Sequence, residues 1–185
     1  MEARNQILQH LQASTATTST LFMVDLVLRG IAFSTTLAAA VVMGRDKETE
    51  GLFIAKFSFS PAFSFFVAVN GAGCFYSMLS LVILSFQASQ ALSLRMRLVF
   101  ISLDVVLMGS LIGGASAATA IAYVGRKGNK HANWLPICKL FSRFCDHVAG
   151  ALLVSYVGAL CFLLLVLTSA VTLNIFLMQA SEGKS

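Results

Sequence analysis

Apolar residues along this chain collect in four long runs, roughly Leu21 to Met43, Pro61 to Phe86, Leu98 to Val124 and Val148 to Met178. About 20 residues suffice to cross a hydrocarbon layer as an α-helix, and each run meets that length. Polar segments separate them: Arg45-Asp46-Lys47-Glu48, then Gln87 to Arg97, then Gly125-Arg126-Lys127-Gly128-Asn129. Pro61 suits the first turn of a helix, where its missing N–H costs nothing. The fourth run is longer than a crossing needs, which predicts tilt or projection beyond the bilayer. The pattern therefore predicts an all-α membrane protein, a four-transmembrane-helix bundle. It divides into an N-terminal tail (1–20), a membrane domain (21–178) and a C-terminal tail (179–185). An even number of spans puts Met1 and Ser185 on one side.

Composition agrees with lipid as the solvent. Of 185 residues, 57% are hydrophobic and 11% are charged, about half the charge of a soluble domain. The net charge of +5 does not point to nucleic acid. The basic residues are scattered through short loops, with no dense stripe and no interleaved aromatics; lipid head groups are the simpler partner. The polar, Ser- and Thr-rich N-terminus lacks the basic and apolar regions of a cleaved signal peptide, so the first run is expected to target the chain and stay. With Glu at position 2 and no prenylation box in the last residues, neither N-myristoylation nor prenylation is expected. No HExxH, P-loop, GxSxG or cofactor fingerprint occurs, so neither an enzyme nor a cofactor is expected.

Charge distribution bears on orientation. The side of the termini carries Arg4, Arg95, Arg97 and Lys184. The opposite side carries Arg45, Lys47, Lys56, Arg126, Lys127, Lys130, Lys139 and Arg143. Counted alone, these residues place the termini outside the cell.

Charges within spans cost about 2.5–3.5 kcal/mol each on insertion scales and need a physical reason. Asp25 and Arg29 lie one helical turn apart on the first run, and Asp104 lies on the third. Runs one and three cross in the same direction. Arg29 and Asp104 then sit at similar depth, ~9–10 Å in from one face at 1.5 Å per residue. An interhelical Arg29–Asp104 ion pair follows. The competing reading has Arg29 reaching the head groups and pairing locally with Asp25. A proton or ion pathway through Asp104 would need more polar lining than Asn70, Ser77 and Ser80 on the second run.

Two further groups stand out. Gly109 and Gly113 form a GxxxG, which Gly114, Ala117 and Ala118 extend into a small-residue surface for close helix packing, expected mainly within the bundle. Ala68, Gly71 and Ala72 on the second run, with Gly150, Gly158 and Ala159 on the fourth, suit the same purpose. Cys138 and Cys145 lie in the third loop beside Trp134, Phe141 and Phe144. On one continuous helix their Cα atoms would be ~10 Å apart, beyond the ~7 Å reach of a disulfide. A bridge thus needs a turned loop; free thiols are the alternative. A zinc site with His131 or His147 lacks the usual spacing. Cys74 and Cys161 read as packing residues.

Taken together these motifs resemble the plant Casparian strip membrane domain family, specifically its CASP-like branch, whose four-helix architecture is MARVEL-like. The resemblance rests on Leu28-Arg29-Gly30, Ser102-Leu103-Asp104, Pro61-Ala62-Phe63 with Phe65-Phe66-Val67, Tyr76-Ser77, Asn133-Trp134, Ile137-Cys138, Phe141 and Phe144-Cys145. It covers roughly residues 21 to 178. It implies that Arg29 and Asp104 are the family's paired intramembrane charges. It also implies a plasma-membrane protein with cytosolic termini that assembles laterally, alone or with related members, and organises extracellular wall-modifying enzymes or a diffusion barrier. That orientation, which also suits an extracellular Cys138/Cys145 pair, is adopted over the charge count. The lignifying members carry a long aromatic and acidic signature in the first extracellular loop; here the shorter Thr49 to Ser58 stands in its place, which favours the CASP-like branch over a role in Casparian strips. A self-associating scaffold is the expected function. A small channel or transporter subunit using Arg29 and Asp104 is the alternative.

Overall fold

A computed structural model describes the backbone of residues 2–45, 47–50, 53–56, 60–86, 94–128, 136, 138 and 141–182. Side chains are described for 19–45, 60–86, 94–128, 136, 138 and 141–178. The chain is an all-α membrane bundle of four helices: α1 (Glu2–Arg45), α2 (Pro61–Phe86), α3 (Leu94–Lys127) and α4 (Ser142–Glu182). Their membrane-crossing portions are Ser19–Arg45, Pro61–Phe86, Leu94–Lys127 and Ser142–Met178. Helices α1, α3 and α4 outrun the apolar stretches because hydropathy marks where lipid begins, not where hydrogen bonding stops. The segment 2–12 is rich in Glu, Ala, Arg, Gln and Leu, all good helix formers, and continues α1 beyond the apolar run.

The first loop adds what the apolar pattern does not show. Lys47–Glu50 (β1) pairs antiparallel with Phe53–Lys56 (β2), Lys47 facing Lys56 and Glu50 facing Phe53. On the same side of the membrane α3 ends at Gly128, whose φ of 70° and N–H bond to the Val124 carbonyl (2.7 Å) close the helix in the left-handed conformation glycine favours.

The helices form a ring in which α1 packs on α2, α2 on α3, α3 on α4 and α4 on α1. Each turns one stripe inward at spacings of three and four. On α1 it is Arg29, Ala32, Thr36, Ala39 and Met43; on α4 it includes Val148, Leu152, Ser155, Ala159 and Phe162. Two apolar layers fill the interior. One, nearer the loops, gathers Met43, Phe63, Phe66, Ala115, Phe144 and Val148. The other gathers Ala32, Val69, Leu111, Phe162 and Leu165. Diagonal helices do not pack along their lengths, so α1 meets α3, and α2 meets α4, only through long or polar side chains.

Candidate functional site

Arg29 and Asp104 both lie ten residues into their membrane-crossing helices, counted from Ser19 and Leu94. That is ~15 Å along each helix at 1.5 Å per residue, which sets the two side chains level with one another. The helices place them on facing stripes of a diagonal pair. Arg29 is 1% exposed and Asp104 is fully buried. Arg29 Nη2 donates to Asp104 Oδ2 at 3.0 Å and Nη1 to Oδ1 at 3.3 Å, the two-pronged contact that a planar guanidinium makes with a carboxylate. Nη1 also donates to Ser80 Oγ (3.1 Å) and Nε to Asp25 Oδ2 (3.1 Å).

Two aromatic faces complete the pocket. The guanidinium carbon lies 5.3 Å from the Phe100 ring centre and 5.7 Å from that of Tyr76, within reach of cation–π attraction. Tyr76 in turn donates its hydroxyl to the Phe100 carbonyl (3.3 Å). Both expected partners of Arg29 are thus engaged at once, Asp104 across the bundle and Asp25 along its own helix. The Asp25 side chain remains 17% exposed, one turn nearer the N-terminal end of the span. Such a cluster suits a structural tie more than a binding site. The cation's donors are already directed at protein acceptors, and Phe162, Leu111 and Leu165 close the interior beyond it.

A second tie crosses the other diagonal. Asn70 on α2 accepts at Oδ1 from Ser155 Oγ on α4 (2.9 Å) and donates from Nδ2 to the Phe66 carbonyl (2.9 Å). Asn70 stood out in the sequence as a polar residue on an apolar run; Ser155 did not. The available signal was its position on the stripe of Ala151, Ala159 and Phe162. Of the other hydroxyls on α2, Ser80 joins the charge cluster, and the buried Ser77 hydroxyl has no partner among the described residues.

The small residues divide sharply, and the expectation of packing within the bundle needs correction for most of them. Gly114 does pack there: a Cβ added to it would lie 2.7 Å from Val69 Cγ2 and 3.5 Å from the Phe66 backbone. Gly158 similarly abuts Thr35 and Thr36 across α1–α4. A Cβ added at Gly109 or Gly113 would meet no neighbouring atom within 4 Å, and Ala117 is exposed beside them. Ala68, Gly71, Ala72 and Gly150 also face outward. The cause is rotational. Residues four apart lie ~40° apart on a helix, so Gly109 and Gly113 share a face, whereas Gly114 is turned ~100° from Gly113. Buried Asp104, Leu111 and Ala118 place the core on the side opposite the GxxxG.

Cys138 and Cys145 are joined in a disulfide with Cα atoms 5.7 Å apart. Helix α4 begins only at Ser142, so Cys145 lies in its first turn and Cys138 precedes it, and the two positions are not on one helix. The bridged sulfurs are not available as metal ligands; among the described residues no three His, Cys, Asp or Glu side chains converge. His131 lies outside the described residues. Beside the bridge, Phe144 packs edge-on against Phe63 of α2, ring centres 6.3 Å apart. Cys74 and Cys161 are free, Cys161 within the inner apolar layer.

Comparison with known proteins places this architecture. Residues 18–161 match the Casparian strip membrane protein domain. Similar proteins include Casparian strip membrane protein 2 of Medicago truncatula, 37% identical over 160 residues that cover 83% of this chain and 85% of that protein. CASP-like protein 6 of Glycine max is also 37% identical, over 83% of this chain and 86% of its own length. Casparian strip membrane protein 1 of Panicum virgatum is 40% identical with the same coverage. No solved structure matches.

Proposed function

The chain belongs to the Casparian strip membrane protein family, and on that premise we propose that it is a non-enzymatic scaffold of the plasma membrane. It associates laterally with copies of itself and with related members. The platform so formed organises wall-modifying enzymes outside the cell or restricts lateral diffusion. Both termini lie in the cytosol and the disulfide-bearing loop lies outside, where oxidation is favoured. The lipids of the bilayer are the remaining partners.

One observation carries this reading: the small-residue face of α3 is turned away from the bundle. Gly109, Gly113 and Ala117 line up on the outward side, and a Cβ added at either glycine would meet no atom of another helix within 4 Å. Helices associate in membranes by close backbone approach, which small residues allow. A face of that kind gives lipid tails little to pack on and gives a second helix much. Identical chains joined through such faces are expected to close into a symmetric assembly.

Native mass measurement of detergent- or nanodisc-held protein tests it. The wild type is expected as a discrete oligomer, and Gly113→Leu as smaller species with unchanged helicity. A monomer that conducts protons or a solute, with flux lost in Asp104→Asn and folding intact, would establish the transporter alternative instead.

A further inference from the structure

Most of the chain's positive charge stands on the loop-side face of the bundle, and the scaffold reading leaves it unused. Arg45 ends α1, Arg126 and Lys127 end α3, and Arg143 opens α4; all four are exposed. None is ion-paired to another described residue. Neighbouring helix axes lie about 8–10 Å apart, so Arg143 on α4 stands between Arg45 on α1 and Arg126 and Lys127 on α3 at spacings of that order, and the α1–α3 diagonal is longer. The same loops add Lys47, Lys56, Lys130 and Lys139, against the acids Asp46, Glu48 and Glu50 there and Asp146 near the start of α4.

That excess needs a physical reason. Insertion favours basic loops in the cytosol, and the orientation proposed above sets this face outside, against the bias. Anionic lipid concentrates in the cytoplasmic leaflet, so outer head groups supply little counter-charge. An anionic partner for this face would then come from beyond the membrane. The similar proteins are from flowering plants, whose cell exterior is a wall containing polysaccharides with uronate carboxylates. A small free anion has no use for charges spread over three helix ends, whereas a chain of carboxylates can engage them in turn.

We propose that this face binds a linear polycarboxylate of the uronate type across Arg45, Arg126, Lys127 and Arg143. Guanidinium groups accept carboxylates in a two-pronged fork. Each exposed pair is weak, so binding accumulates along the polymer and falls as salt screens the charges. The proposal rests on the orientation given above and is independent of self-association.

The test uses the full chain in nanodiscs of phosphatidylcholine, titrated with an oligomer of polygalacturonate at roughly physiological salt. Saturable binding is expected, together with no binding of a neutral glucan oligomer. Changing all four basic residues to Gln should weaken it about tenfold or more, whereas Arg95→Gln with Arg97→Gln on the opposite face should leave it unchanged. Should the fourfold variant misfold, Arg126→Gln and Arg143→Gln taken singly, each weakening the binding severalfold, carry the same comparison. Equal binding of the neutral oligomer, or insensitivity to these changes, overturns the proposal. In cells, His131→Thr creates an Asn-x-Thr acceptor at Asn129, and its glycosylation is expected. Glycosylated tags at the termini instead would put the basic face in the cytosol and make anionic lipid its partner. Loss of the oligomer with binding intact would count against the scaffold alone.

Discussion

The two halves of the bundle are held by different chemistry. Towards the termini, α1 and α3 are joined by a buried Arg29–Asp104 pair with Asp25, Ser80, Tyr76 and Phe100 around it. Towards the loops, α2 and α4 are joined by the neutral Asn70–Ser155 bond. Beyond that bond lie an aromatic layer and the Cys138–Cys145 bridge. The comparison teaches where a costly charge pair is tolerated. Its half holds α1 to α3 through a long side chain that spans the bundle, and the carboxylate needs a cation of matching geometry because neither can face lipid alone. The loop half, with bulky rings and a covalent link, needs only an amide and a hydroxyl.

The sharpest way to break the contrast is to remove one charge. Arg29→Leu or Asp104→Leu should each destabilise the bundle by about 3–5 kcal/mol, since the partner is left buried and unpaired. Surface delivery and thermal unfolding in detergent would show it. The double change to Leu should recover part of the loss; a double variant worse than either single one would refute pairing as the reason for the cluster.

In the loop half, Cys138→Ser should cost about 2–3 kcal/mol by the loop-closure estimate for so short a loop. All four spans should remain inserted, because lipid holds each independently. A linked peptide in non-reducing digests of the wild type, absent from the variant, checks the bond itself. Extraction of any span into water would contradict this division of labour.

Between the halves, Gly114→Ala should lose about 1–3 kcal/mol, because its Cβ must displace Val69 against backbone. Gly113→Ala, its neighbour, should leave monomer stability unchanged. Equal effects at the two glycines would mean that α3 is rotated from the orientation described. The smallest effect is expected at the neutral diagonal. Asn70→Leu or Ser155→Ala should cost about 0.6–1.7 kcal/mol, the range found for hydrogen bonds between membrane helices. A loss as large as that of Asp104→Leu would erase the distinction between the two ties.

The sequence by itself determined the class of molecule. Four apolar runs suffice because insertion is a local transaction between a segment and lipid, requiring no knowledge of its neighbours. Depth was also legible: equal rises along helices running the same way put Arg29 level with Asp104. The tertiary structure decided which way each helix faces. Gly109, Gly113 and Gly114 look alike in the sequence, yet the rotation of α3 sends one into Val69 and two towards lipid. Ser155 is one hydroxyl on an apolar run until α4 turns it towards Asn70. Cys138 comes within reach of Cys145 only because α4 begins between them, at Ser142. Rotation and loop path depend on contacts between distant segments, and side-chain packing in a crowded interior, which is not encoded in any one stretch, selects among them.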